Sequence, residues 1–176
     1  GFPFVTGWTS SSDFETQPSG SSGGGWGWWK PGARTPYDAT YNGGDKDAFL
    51  IKFFPDGTLS KKDDGTFSTY FGGAGEEEGR GIYIDAQGRP LLVGVTNSTK
   101  YPTAGTITAD YIGGKSDIFM CQFTDDGKAL TACTYFGGTG EDWVNGIVAD
   151  PSLNSGILWG YTNSMDFPIQ GAGASA

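Results

Sequence analysis

Histidine is absent from this chain of 176 residues. Its absence removes the commonest general base near neutral pH, the usual partner of a Ser or Cys nucleophile and the commonest zinc ligand. Cationic residues are also scarce, with 11 Lys and Arg against 20 Asp and Glu and a net charge of −9. No Lys/Arg cluster offsets that balance. The cationic footprint needed for nucleic acid or an anionic membrane surface is therefore missing, which argues against both as partners. No apolar run approaches the roughly 18 residues that cross a bilayer as a helix, and no amphipathic stretch of useful helical length is present. Only two cysteines occur, Cys121 and Cys133, too far apart for a Cys-x-x-Cys metal or redox motif.

What the chain does contain is repetition. Tyr70-Phe71-Gly72-Gly73 returns as Tyr135-Phe136-Gly137-Gly138, and Gly81-Ile82-Tyr83-Ile84-Asp85 returns as Gly146-Ile147-Val148-Ala149-Asp150 at the same spacing. Gly94-Val95-Thr96-Asn97-Ser98 recurs as Gly160-Tyr161-Thr162-Asn163-Ser164, with a weaker copy at Gly7-Trp8-Thr9-Ser10-Ser11. Gly43-Gly44-Asp45-Lys46-Asp47-Ala48-Phe49 recurs as Gly113-Gly114-Lys115-Ser116-Asp117-Ile118-Phe119. Self-similarity of this kind fixes architecture before any single residue suggests chemistry.

Each unit resolves into short runs of β-branched and aromatic residues bounded by Gly, Asp and Pro. In the best-preserved unit these cover about Gly81 to Asp85, Pro90 to Thr96, Asp117 to Thr124 and Leu130 to Phe136. Gly88 supplies a positive φ for one tight hairpin, and Asp126-Gly127 signals another. An all-β fold of four-stranded antiparallel meanders is expected, and a meander repeated with Gly-rich joints is the unit of a β-propeller.

The words Asp-Ala-Phe-x-x-Lys-Phe, Asp-Gly, Ser-Thr-Tyr-Phe-Gly-Gly, Gly-Ile-x-x-Asp and Gly-x-Thr-Asn-Ser-x-x-Phe/Tyr-Pro resemble the SBBP family, the bacterial-type β-propeller repeat. The likeness covers the chain except about residues 15–37. It implies a propeller architecture and brings no general activity or catalytic residues with it. By analogy with other propellers, Gly-Ile-x-x-Asp opens a blade as its inner strand and Tyr-Phe-Gly-Gly ends it at the rim. Residues 1–78 are then the outer three strands of one blade, 79–138 a complete blade, 139–170 the inner two strands of a third and 171–176 a tail. About two to two and a half blades are too few to close a ring of about four to eight. The chain, whose first residues read as the middle of a strand, is accordingly expected to belong to a longer polypeptide or to be completed by another subunit.

Candidate chemistry is sparse. Glu76-Glu77-Glu78 and Glu141-Asp142 follow Gly-Gly-x-Gly in equivalent places, where they read as solvated loop charges or turn caps rather than catalytic carboxylates. Asp45, Asp47 and Asp117 are oxygen donors of the type Ca²⁺ takes, but no segment has the spacing of a calcium loop. The Asp before Ala48-Phe49 and Ile118-Phe119 is better explained as an Asx-type cap; no cofactor is implied. Asn97-Ser98-Thr99 fits the N-glycosylation acceptor pattern, whereas its equivalent Asn163-Ser164-Met165 does not.

Cys121 and Cys133 lie on consecutive strands around Asp126-Gly127. A three-residue loop would pair Asp125 with Ala129 and set the cysteines opposite one another, as a disulfide requires. A two-residue loop would leave two buried thiols. A bridge would point to an oxidising compartment.

Between Gly7 and Gly43 an insertion runs through a Gly/Ser stretch into Trp26-Gly27-Trp28-Trp29-Lys30. Exposed Trp clusters mark interaction surfaces, protein or sugar, unless they fold back on their own rim. Three readings follow. The first is a non-catalytic scaffold or protein–protein interaction module in an extracytoplasmic assembly, partnered by other subunits or by the rest of a longer propeller. The second is a glycan-binding propeller, and the third a fragment of a larger propeller enzyme.

Overall fold

The computed structural model describes residues 1–16, 36–59, 65–100, 111–150 and 155–169. Every regular element among them is a β-strand: β1 (Phe4–Thr9), β2 (Asp47–Lys52), β3 (Phe67–Phe71), β4 (Glu77–Ile84), β5 (Pro90–Thr96), β6 (Asp117–Phe123), β7 (Leu130–Phe136), β8 (Asp142–Asp150) and β9 (Ser155–Thr162). All ladders between them are antiparallel. The strands form three sheets in chain order, β1-β2-β3, β4-β5-β6-β7 and β8-β9. The all-β meander expected from the sequence is thus present, and the described residues close no ring.

The hairpins arise where the turn chemistry places them. Gly88 has φ 78° and donates its N–H to the Asp85 carbonyl at 2.9 Å, while Asp85 N–H reaches the Arg89 carbonyl at 3.1 Å. Cys121 faces Cys133 across β6 and β7, and the two form a disulfide. The register is the one expected, but the route is not a three-residue loop pairing Asp125 with Ala129. Instead Thr124 N–H bonds the Ala129 carbonyl at 2.8 Å, and the register shifts so that Gln122 meets Ala132 while Phe123 meets Leu130. A longer loop and a bulge at Thr131 compensate one another.

The first strand of the middle sheet starts at Glu77 rather than near Gly81, because the pairing runs Glu77 opposite Thr96 and Glu78 opposite Val95 before a bulge at Arg80. The same bulge recurs in β8 at Asn145, between Val144 and Gly146. The sheets then stack face to face in series: β4 lies against β1 and β2, and β8 lies against β4, β5 and β6.

Burial follows from that stacking. The larger core combines Leu50, Phe67 and Phe71 of the first sheet with Leu92, Phe119, Phe123 and the disulfide of the second. Phe71 sits edge-on to Phe119 and Phe123, with ring centroids 5.5 and 5.2 Å away. A smaller core of Val93, Ile118 and Val144 joins the second sheet to the third. Burying side chains of this size stabilises by roughly 1.5–3 kcal/mol each, so neither outer sheet is independent of the middle one.

Candidate functional site

The repeated words converge on one construction, found at both joints between sheets. Thr-x-Ser is a local turn in three copies: Ser11, Ser98 and Ser164 donate their backbone N–H to Thr9, Thr96 and Thr162 Oγ1 at 3.0, 2.9 and 3.0 Å. The Asn and Ser side chains then hold the Gly-Gly-x-Gly loop. Asn97 Oδ1 accepts from Glu76 N–H at 2.7 Å and Asn163 Oδ1 from Glu141 N–H at 2.6 Å, while Ser98 and Ser164 Oγ accept from the Gly75 and Gly140 amides at 2.7 and 2.8 Å. Asn97 therefore serves as a loop cap, which accounts for its recurrence as Asn163. Tyrosines of β3 and β7 complete the frame, Tyr70 donating to the Ser11 carbonyl at 2.7 Å and Tyr135 to the Ser98 carbonyl at 2.8 Å.

Enclosed in each joint is a pair of carboxylates. Asp47 with Glu77, and Asp117 with Asp142, are fully buried. Of the two sequence readings, solvated loop charges or turn caps, Glu77 and Asp142 therefore take the second. Each caps a backbone amide of the preceding sheet's exit, Glu77 Oε2 accepting from Gly73 N–H and Asp142 Oδ2 from Gly138 N–H, both at 2.7 Å. Glu77 Oε1 also accepts from Thr96 Oγ1 at 2.6 Å, and Asp142 Oδ2 from Ser164 Oγ at 2.8 Å. Glu78, next in line, pairs with Lys46 at 2.6 Å and with Arg80.

Asp47 and Asp117 are caps, as expected, but they reach back five residues rather than forward two. Their Oδ2 atoms accept from Asn42 N–H at 2.6 Å and Ile112 N–H at 2.8 Å. Their Oδ1 atoms, and Asp142 Oδ1, have no hydrogen-bond partner. The partner carboxyl lies across a glycine. A Cβ at Gly72 would stand 2.7 Å from Glu77 Oε2 and 3.0 Å from Asp47 Oδ1, and one at Gly137 would stand 2.5 Å from Asp117 Oδ1 and 2.7 Å from Asp142 Oδ2. The first Gly of Tyr-Phe-Gly-Gly is thus the space that admits the pair.

Electrostatics follow from enclosure. Burial, with the Asn42 bonds opposing it and the Glu77 charge reinforcing it, pushes Asp47 up to about 6. Burial likewise raises Glu77 and Asp117, each against the hydrogen bonds it accepts. None of the four side chains is exposed, so no substrate atom reaches them and acid–base catalysis at the pairs is sterically closed. As to calcium, Asp45 is exposed, and Asp47 and Asp117 lie in separate joints. Among the described residues no group of three or more carboxylates or thiols is placed to hold a metal ion.

Two clefts open elsewhere. One of about 200 Å³ is charged, with Lys46, Glu76, Glu78, Lys115, Glu141 and Trp143 in its wall; the Arg80 guanidinium lies 4.6 Å from the centroid of the Trp143 ring. The other, of about 410 Å³, is apolar and runs between β6, β7 and the β8–β9 sheet, lined by Met120, Phe136, Trp143, Leu158 and Tyr161 among others. Trp143 and Tyr161 stack at 6.2 Å with rings 14° apart, and Ile157, Trp159 and Tyr161 are about half exposed. Sequence reasoning missed this surface because it gave β8 and β9 only as inner strands of a repeat. Its signal was the aromatic content of Trp143 and Trp159–Tyr161, where the middle repeat carries Glu78 and Val93–Val95.

Trp26, Trp28, Trp29 and Lys30, the anchors inferred from sequence, fall outside the described residues, as does the tail at 171–176. No helix among the described residues is long and apolar enough to cross a membrane. No protein-family model matches the chain, and no curated protein matches it.

Proposed function

We propose that the three sheets are successive blades of an incomplete β-propeller of the SBBP repeat type, and that the protein is a non-catalytic scaffold or protein–protein interaction module in an extracytoplasmic assembly. The observation that carries the reading is the serial stacking of like sheets through one repeated joint, ending in a two-stranded sheet with an open aromatic side. Stacked repeats of this kind bury their faces only against neighbours and present loops and ends to partners. The Cys121–Cys133 disulfide fits an oxidising compartment. Asp47, Glu77, Asp117 and Asp142 are enclosed, which removes those four carboxylates from acid–base chemistry on a substrate.

The test is light scattering of the chain against a variant with Trp26, Trp28 and Trp29 replaced by alanine. Association that weakens while the circular dichroism stays unchanged is the expected result. Association unaffected by the three replacements would count decisively against those anchors.

A second reading has its own support in Tyr161, half exposed and stacked on the partly buried Trp143, near acidic side chains such as Glu141. Aromatic faces of this kind hold sugar rings. Binding on a glycan array that is lost in Trp143→Ala would favour it over a protein partner.

A further inference from the structure

Phe71 and Phe136 end equivalent strands, β3 and β7, but their surroundings differ. Phe71 is fully buried because β6 of the following sheet lays Phe119 and Phe123 over it, at 5.5 and 5.2 Å. Phe136 faces the third sheet, where the described residues contribute only β8 and β9. Phe167 meets it edge-on at 5.1 Å, and the remaining space is the apolar cleft of about 410 Å³.

The bordering strand tells the same story. β5 pairs on both edges, with β4 and with β6, whereas among the described residues its repeat equivalent β9 pairs with β8 alone. A row of unpaired backbone groups therefore flanks an apolar cleft, which is the arrangement that accepts an added strand. The tyrosine series points the same way. Ser11 and Ser98 carbonyls receive hydroxyls from Tyr70 and Tyr135 of the last strand of their sheets, and Ser164 is the third member of that series.

We propose that the cleft and the free edge of β9 are the seat of a β-hairpin of this same repeat. The proposal rests on the propeller reading above. The first strand of the hairpin pairs along β9 and carries Asp-x-Phe-x-x-x-Phe, the word shared by Asp47–Phe53 and Asp117–Phe123. Its two phenylalanines fill the cleft above Phe136 as Phe119 and Phe123 cover Phe71. Its second strand ends in the Tyr-Phe-Gly-Gly word. A folded second copy of the chain does not fit this role, since its β2 is already held between β1 and β3 and its β6 between β5 and β7. The occupant is a separate repeat segment whose leading edge is free.

The probe is a synthetic peptide of residues 111–138, closed by its own Cys121–Cys133 disulfide, added to the intact chain. Hydrogen exchange across Ser155–Thr162 is expected to slow by at least about tenfold at saturation while exchange in β2 stays unchanged. A peptide with F119A and F123A is expected to lose that protection. Because an isolated hairpin is only marginally ordered, a second measurement joins the same segment to the C-terminus through a Gly/Ser linker, which raises its effective concentration.

Unchanged β9 exchange in the fused protein would overturn the proposal, as would equal protection by the double-alanine peptide. Protection of β9 by self-association of the chain without any peptide would assign the seat to a second copy and overturn it too. If the hairpin fails while the Trp-dependent association seen by light scattering persists, this inference falls and the scaffold reading stands.

Discussion

Asp47 and Glu77 confront one another across the Cα of Gly72, both without solvent exposure and with Asp47 Oδ1 unpartnered. Two enclosed carboxyls of like charge are accommodated most easily when one carries a proton. The pair belongs to two sheets, Asp47 to the first and Glu77 to the second, so its ionisation is felt at the joint.

Stability should accordingly fall as pH rises. Asp47 sits at about 6 in the folded chain and near 3.9 when unfolded, so the folded state holds its proton more tightly. The stabilisation is complete below about pH 4, fades between about pH 4 and 6, and is gone above. Glu77 and Asp117 are raised as well and act in the same direction. Asp56 and Asp166, held low by hydrogen bonds from Thr58 and Thr139, oppose this only in more acidic solution. Urea midpoints measured from pH 4 to 7 should fall by the equivalent of about 2–3 kcal/mol, and Asp47→Asn should flatten the slope. A midpoint that climbs through that range contradicts the assignment.

Gly72→Ala and Gly137→Ala should each cost about 1–3 kcal/mol, because the new methyl group meets carboxylate oxygens that the joint cannot move aside. Thermal denaturation would show it, and Gly72→Ala combined with Asp47→Ala should recover part of the loss. Equal costs in the single and double variants would mean that the glycines serve some other purpose.

Removing a tyrosine hydroxyl from β3 or β7 tests the frame without disturbing packing. Tyr135→Phe deletes the 2.8 Å bond to the Ser98 carbonyl and should destabilise by about 0.5–1.5 kcal/mol. Tyr70→Phe should cost more, since that hydroxyl both donates to Ser11 and accepts from Phe14 N–H at 2.9 Å. Chemical denaturation of the two variants side by side is sufficient.

Reduction of Cys121–Cys133 opens a short loop, with a sequence separation of 12. Loop-closure entropy puts its contribution at about 2–3 kcal/mol. Both cysteines are core residues, so Cys→Ala at both sites should cost at least as much as dithiothreitol does. A urea midpoint insensitive to reduction would show that the bridge adds nothing.

Much of the fold was legible in the sequence because it is written in local chemistry. Gly88 and Gly127 marked hairpins through their need for positive φ, and runs of β-branched and aromatic residues bounded by Gly, Asp and Pro marked the strands. The opposition of Cys121 and Cys133 was reached through the wrong loop, since a bulge at Thr131 cancels the extra turn residue, and bulges leave little trace in composition.

The enclosure of the carboxylates, as distinct from their capping, was illegible for a different reason. Whether Glu77 meets water depends on Asp47 of β2, Thr96 of β5 and Gly73 in the loop after β3, and a run of three glutamates carries no mark of that. The cleft over Phe136 was missed for a similar reason: Trp143 and Trp159–Tyr161 marked an aromatic strand pair, but the open space beside them shows in the contrast with Phe71, covered by Phe119 and Phe123.

The amides of Gly73 and Gly138 are capped by side chains that arrive with the strand opening the next sheet. The exit turn of each unit is therefore unfinished until its successor is in place. For a chain leaving the ribosome this imposes a direction on assembly, each sheet sealed by the one made after it. A protease cut between Gly73 and Glu77 would leave the upstream piece with a dangling amide, and the cleavage would weaken the earlier sheet more than its own missing surface suggests.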